Sequence, residues 1–234
     1  MSALQTGLIS LEAQMHSTLS TMSSRSNEGL GSWKRSARVS ADGKTISIRV
    51  AASLSDLMQV VAIRGAVYMG EQACPYDEEF DGNDFCAMHL IGSIGDEPAG
   101  CMRIRFFADF AKLERLAVRH EFRGTPLVFE IARAAKELCR VKGYTRIYGH
   151  ALERLIPFWK RLGARPMEPR RPVIFSDFSY TEMLIPTERH PNALSLESDP
   201  YVLIRPEGEW DKPGPLEVSA QRPVTSPLRN QQAA

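Results

Sequence analysis

The sequence predicts an α/β protein built on one central mixed sheet of about six to seven strands, with helices on both faces. Three observations predict it. Several short apolar runs alternate with period two, as half-buried strands do. Longer runs place apolar residues every three or four positions, as amphipathic helices do. The order reads β-α-β-β-β-α-β-α-β. Three strands linked by short turns, which suits antiparallel neighbours, precede strands linked through helices, which parallel neighbours require.

Each element follows in turn. ISIRV (46–50) alternates as a strand. Residues 53–72 read as a helix that Ser53 or Ser55 can cap, with Leu57, Val60, Val61, Arg64, Val67 and Tyr68 on one side. YDEEFDGND (76–84) is an acidic loop. CAMHLIGSIG (86–95) and PAGCMRIRFF (98–107) form a hairpin around Asp96-Glu97, and AKLERLAV (111–118) is the next strand. From Pro126, an apolar stripe of Leu127, Ile131, Ala134, Leu138 and Val141 marks a helix that Gly143 stops. RIYGHA (146–151) is a strand, LERLIPFWKRLG (152–163) a short helix, and VIFSDFSYTEMLIP (173–186) one or two closing strands.

The ends differ in composition. Residues 1–44 are rich in Ser, Thr, Gly and Gln and read as a flexible arm, with a possible amphipathic helix at 4–22 carried by Leu4, Leu8, Leu11, Met15, Leu19 and Met22. Residues 23–36 read as a linker, 45–204 as the compact domain, and 205–234 as a disordered tail rich in Pro, Gly, Glu and Gln. The formal net charge is +1, so no global basic field argues for nucleic acid. No apolar run approaches the roughly 20 residues of a membrane span, and no basic segment with an apolar stretch opens the chain, so a cytoplasmic protein is expected. Cys74, Cys86, Cys101 and Cys139 are widely spaced, which argues against a zinc site or a disulfide framework.

Three stretches in this order resemble the GNAT acyltransferase superfamily. They are the strand-turn-helix RLAVRHEFRGTPLVFEIARAA, the stretch FWKRLGA (158–164), and VYMGEQACPYDEEFDGNDFCAMHLI (67–91). The resemblance covers roughly residues 45–186. It implies a GNAT-like fold and N-acyl transfer from acetyl-CoA or another acyl-CoA to a primary amine by direct attack, with no metal. In such folds two parallel strands splay and the thioester arm of the acyl carrier lies between them, pairing like an added strand. Here that strand is Leu116, Ala117 and Val118, and the Val118 N–H would face the developing oxyanion. The following turn and helix N-terminus would take phosphates.

The family's phosphate loop, Arg/Gln-x-x-Gly-x-Gly/Ala, begins here at Arg123, with Gly124 and Thr125 at the free positions. Pro126 and Val128 stand where glycines are usual. Pro126 has no N–H to give, yet it suits the start of a helix, with Thr125 as its cap. Leu127 and Val128 keep their N–H groups. Three readings stay open: an altered coenzyme A pyrophosphate site, a site for the single phosphate of an acyl-carrier-protein phosphopantetheine as in autoinducer synthases, or a purely structural cap. A carrier protein would need a basic surface, for which Arg154, Lys160, Arg161, Arg165, Arg170 and Arg171 are candidates.

An attacking amine must lose a proton and the leaving thiolate must gain one. Glu114, on the strand before the thioester pocket, is the first candidate base, against a structural pairing with Arg103 or Arg115. Glu71 is the second. Many relatives carry a tyrosine acid where this chain has Trp159, whose indole can donate but not titrate at neutral pH. Tyr148 and His150 are the substitutes, ahead of His89 and His120. The carboxylates Asp77, Glu78, Glu79, Asp81 and Asp84 could steer a cationic amine or form an ordinary solvated loop. A binding module that has kept the fold and lost the chemistry is the competing class. A homodimer is possible.

Overall fold

The structure, a computed structural model, describes residues 38–40, 43–171 and 173–226. The expected helix 4–22 and the linker 23–36 lie outside the described residues. The described residues as far as Ser195 form one compact unit and those from Leu196 to 226 belong to another. The sheet-bearing unit thus ends earlier than the expected boundary at 204.

Nine strands form the sheet among the described residues: β1 (Arg38–Val39), β2 (Thr45–Val50), β3 (Met88–Ile94), β4 (Glu97–Phe106), β5 (Ala111–Val118), β6 (Arg146–Leu152), β7 (Arg165–Pro166), β8 (Val173–Phe175) and β9 (Phe178–Pro186). Their order is β1-β2-β3-β4-β5-β6-β9-β7, with β8 paired to β9. Every pair is antiparallel except β5 with β6. The count exceeds the expected six to seven because β1 and β7 have two residues each, too few to show a period. The β8–β9 turn places Ser176 and Asp177 at φ 42 and 66, the left-handed pair of a tight hairpin.

Helices cover both faces. In α1 (Leu54–Arg64) the Asp56 N–H donates to Ser53 Oγ at 3.1 Å and the Ser53 N–H to Asp56 Oδ2 at 3.0 Å, a reciprocal cap. Its Val60 and Ile63, with Val67, pack on Ile91, Cys101 and Ala117. The helix expected to run to 72 changes form at Gly65: Gly65–Glu71 is π-helical, one residue wider per turn than the apolar spacing implied. Within the acidic loop, α2 (Tyr76–Glu79) is a single turn. On the opposite face lies α3 (Leu127–Val141), with Leu127, Ile131 and Leu138 fully buried. The sheet meets it at Gly92 and Gly100. A Cβ on Gly92 would come within 2.7 Å of Leu127 Cδ1, and one on Gly100 within 2.9 Å of the Ala117 carbonyl oxygen. After β6, a 3-10 turn (Glu153–Leu155) leads into α4 (Ile156–Lys160), which is shorter than the helix expected over 152–163.

Strand β5 contains the feature that shapes the site. Arg103 pairs with Glu114 but Cys101 pairs with Ala117, so β5 holds one extra residue opposite Met102. Arg115 sits there at φ 54, a left-handed conformation that costs an L-residue roughly 1–2 kcal/mol. The bulge bends the strand. Beyond it, β5 no longer pairs with β6: the parallel register holds only for Ala111↔Ile147, Lys112↔Tyr148 and Leu113↔Gly149.

The stretch expected as a disordered tail carries structure as far as 226. In this C-terminal unit, α5 (Pro200–Leu203) is capped by Asp199, which accepts from the Tyr201 N–H at 2.8 Å. Arg205 clasps Glu217 at 2.7 and 3.1 Å and donates to the Trp210 carbonyl, and the Trp210 side chain is buried. The polar composition concealed one aromatic anchor and one partly buried ion pair.

Candidate active site

The divergence of β5 from β6 exposes one backbone edge. The Arg119 N–H donates to the Ala99 carbonyl at 2.9 Å, so Ala99 and Arg119 are a hydrogen-bonded pair. By alternation Val118, opposite Gly100, turns its N–H and C=O away from β4 and toward the gap. Leu116 faces the same way. Both carbonyls are already engaged: Leu116 accepts from the Tyr68 hydroxyl at 2.8 Å and Val118 from Arg123 Nε at 3.1 Å. The open edge of β5 is thus held by Tyr68 of the π-helical turn and by Arg123.

That loop is a 3-10 turn (His120–Phe122) followed by Gly124 at φ 81. The cap differs from expectation. Pro126, not Thr125, holds the N-cap position, and the Thr125 hydroxyl donates to the Phe122 carbonyl at 2.8 Å while accepting weakly from the Leu127 N–H at 3.4 Å. The N–H groups of Phe129 and Glu130 both reach the Pro126 carbonyl. Among the described residues, the N–H groups of Gly124, Thr125 and Val128 find no partner. They stand at the positive end of a fifteen-residue helix, a ready anion site. Arg123 does not face it. Its guanidinium is drawn to Glu71, so the two are each other's partners and Glu71 is set apart from the other candidate bases.

On the α1 face of the sheet, a polar row crosses three strands. Glu114 accepts from Arg103 Nε at 2.9 Å and lies 2.7 Å from Lys112 Nζ. Lys112 stands beside Tyr148 in register, and His150 beside Glu182. The Tyr148 hydroxyl lies 2.6 Å from Glu182 Oε1 and 2.8 Å from His150 Nε2. Arg171 donates to both Glu182 oxygens at 2.7 Å. Burial, then Lys112, holds the His150 imidazole below its ordinary value. Burial, then the hydrogen bond to Glu182, pushes the Tyr148 phenol up, so it stays protonated at neutral pH. The bond from Arg171, then that from Tyr148, holds Glu182 down as a carboxylate. Phe175 abuts His150 edge-on, with centroids 5.2 Å apart.

The structure thus joins Tyr148 and His150, places Glu114 on the neighbouring strand within the same charged row, and leaves Glu71 at the loop. It adds Glu182 and Tyr68 as site residues that the sequence reading passed over. Trp159 of α4 lines a small cleft, with room for about 10 Å³, together with Leu113, Gly149, Ala164, Met183 and Ile185, and Tyr148 and His150 also border it. It sits where the two strands begin to part.

Four of the five carboxylates of the acidic loop, Glu78, Glu79, Asp81 and Asp84, are tied down within the protein, Asp77 is exposed, and Asp81 also caps its turn by accepting from the Asn83 N–H at 3.1 Å. Arg64 and Arg103, both fully buried, bind Glu79, Asp81 and Asp84: Arg103 Nη2 is 2.6 Å from Asp81 and its Nη1 2.9 Å from Asp84. Arg115 adds a contact with Glu79 at 3.0 Å. Ser176 N–H and hydroxyl donate to Glu78 Oε2 at 3.0 and 2.6 Å, which ties the loop to the β8–β9 turn. Of the basic residues considered as a carrier surface, Arg171 is bound to Glu182 and Arg170 to Glu168. Among the described residues, no group of three or more His, Cys, Asp or Glu side chains could hold a metal, and no helix is long and apolar enough to cross a membrane.

Comparison with known proteins agrees with this geometry. Residues 58–164 match the acetyltransferase (GNAT) family model. The uncharacterized N-acetyltransferase YjcF of Bacillus subtilis strain 168 is 26% identical over 121 residues, covering 52% of this chain and 86% of its own. Escherichia coli ElaA is similar in fold with a TM-score of 0.53 at 23% identity, over 59% of this chain and 98% of that one. An acyl-CoA N-acyltransferase of Pseudomonas aeruginosa has a TM-score of 0.53 at 20% identity, with the same coverage. The family match encloses the splayed strands, the loop and Trp159, and stops short of Arg171 and Glu182. Residues 58–164, a little under half of the chain, thus resemble a GNAT acetyltransferase domain, and the general reaction of such domains is N-acyl transfer from acyl-CoA.

Proposed function

We propose that the chain moves an acyl group, acetyl in the simplest case, from acyl-CoA to a primary amine by direct attack. One observation carries the reading: β5 and β6 pair over three residues and then part, leaving the Val118 N–H on the open edge. A thioester arm laid there brings its carbonyl oxygen to that N–H, which stabilises the oxyanion as it forms. The amine nitrogen attacks the carbonyl carbon. His150, kept neutral by burial and Lys112, takes the amine proton. The C–S bond then breaks, and the coenzyme thiolate leaves with a proton from solvent or from the polar row. The three unpartnered N–H groups before and within α3 receive the pyrophosphate. The row of Lys112, Glu114, Tyr148 and Glu182, walled by Phe175, faces the acceptor.

The test is release of free thiol from acetyl- and longer acyl-CoAs in the presence of a panel of primary amines. Turnover with acyl-CoA is the expected result. Turnover only with acyl groups on a phosphopantetheinylated carrier protein would replace the donor. Coenzyme A binding without turnover on any amine would replace the enzyme with a binding module.

A further inference from the structure

We infer that Glu182 is a positioning residue: acting through Tyr148, it fixes His150 as the Nε2–H tautomer and leaves Nδ1 as the lone pair that receives the amine proton. The inference rests on the acyl-transfer reading above. It follows from counting hydrogens. Glu182 lies opposite His150 on β9, and its side chain is 6% exposed. Its Oε1 meets the Tyr148 hydroxyl at 2.6 Å and Arg171 Nη2 at 2.7 Å, and its Oε2 meets Arg171 Nε at 2.7 Å. A carboxylate gripped by a guanidinium fork is ionised and can only accept. The single hydroxyl hydrogen of Tyr148 therefore goes to Glu182.

Tyr148 and His150 are still in hydrogen-bond contact at 2.8 Å. With the phenol hydrogen committed, the shared hydrogen must come from Nε2. The neutral ring then carries its lone pair on Nδ1. No partner for Nδ1 is found among the described residues, and it is not among the enclosed unpaired atoms, so it is open to a ligand. The ring plane is held edge-on between Tyr148 at 4.9 Å and Phe175 at 5.2 Å. The charged groups that face the ring are Lys112 and Glu114 from β5, and Glu182 from β9 with Arg171 behind it. Burial and Lys112 outweigh the two carboxylates and keep the ring neutral.

The full chain is labelled with ¹⁵N-histidine and its two-bond ¹H–¹⁵N spectrum recorded at pH 7.5, where His150→Gln identifies one signal among five histidines. The wild type should show the Nε2–H pattern. Glu182→Ala frees the phenol hydrogen to turn to Nε2, so the pattern should switch to Nδ1–H and kcat should fall by about 10²-fold. KM for acyl-CoA should hold. Glu182→Gln keeps an oxygen acceptor for Tyr148 and should retain the wild-type tautomer. An Nδ1–H pattern in the wild type overturns the inference, as does a tautomer unchanged in Glu182→Ala. If that variant does not fold, a switched tautomer in Glu182→Gln has the same force. The spectrum needs no turnover: the expected tautomers in a chain inert toward every donor would sink the acyl-transfer reading and leave the assigned hydrogen-bond order intact.

Discussion

Replacing Glu71 with Gln separates two roles for this carboxylate. In the structure Glu71 holds Arg123, whose Nε also donates to the Val118 carbonyl at 3.1 Å. If Arg123 must leave Glu71 to meet a coenzyme phosphate, the strength of that pair is subtracted from coenzyme binding. The two side chains are 43% and 33% exposed, and pairs so exposed contribute only about 0.2–1 kcal/mol. Removing the Glu71 charge should therefore tighten coenzyme A by about 1.4- to 5-fold. Arg123→Ala should act in the opposite direction, by about tenfold or more, through loss of a charge-assisted phosphate contact. In the Arg123→Ala background, Glu71→Gln should change little, because the partner is gone. Titration calorimetry with coenzyme A gives the dissociation constants, and kcat is measured at saturating donor and amine. A hundredfold loss of kcat in Glu71→Gln with unchanged coenzyme affinity would refute this reasoning and make Glu71 the general base.

Arg103→Met leaves Asp81, Asp84 and Glu114 without their shared buried cation and should cost about 3–5 kcal/mol in urea unfolding; a loss below about 1 kcal/mol would mean water replaces the cation freely. Gly100→Ala places a Cβ 2.9 Å from both the Ala117 carbonyl and Ile131 Cδ1. It should destabilise by about 1–3 kcal/mol, seen as a lower Tm, and an unchanged Tm would contradict the close approach of α3. Because burial and then Lys112 depress the His150 value below its ordinary 6.5, its neutral form prevails from below that pH upward. The kcat/KM profile should thus fall only as pH drops below about 6.5, and His150→Gln should abolish that limb; a limb that persists in the variant belongs to another group.

Parts of the site were legible because they use local rules. The apolar stripe of α3, with Pro126 at its start and Gly143 at its stop, could be read from spacing and turn chemistry. The pairing of Glu114 with Arg103 was one of the two partners considered. Other parts depend on register, which no local pattern carries. Glu182 lies 34 residues from Tyr148 and meets it only because β9 returns antiparallel beside β6. The bulge at Arg115 breaks period two inside a strand that otherwise alternates. The carboxylates of the acidic loop looked free because their cations come from α1 and β4. One sign was present: Arg64 fell on the apolar side of its helix, a place where a charge needs a buried partner.

The π-helical turn Gly65–Glu71 has a genetic consequence. A π-helical turn holds about one residue more than the α-helical turn it replaces, so deleting one codon within this segment would let it regularise with little change of phase in the chain on either side. Tyr68, in the middle of the turn, would swing away from the Leu116 carbonyl, while Glu71 at its end would keep its direction toward Arg123. The helix itself would lose nothing. A single in-frame deletion here is thus a short mutational path by which a descendant of this protein could unlatch its donor slot without altering a residue of the strand.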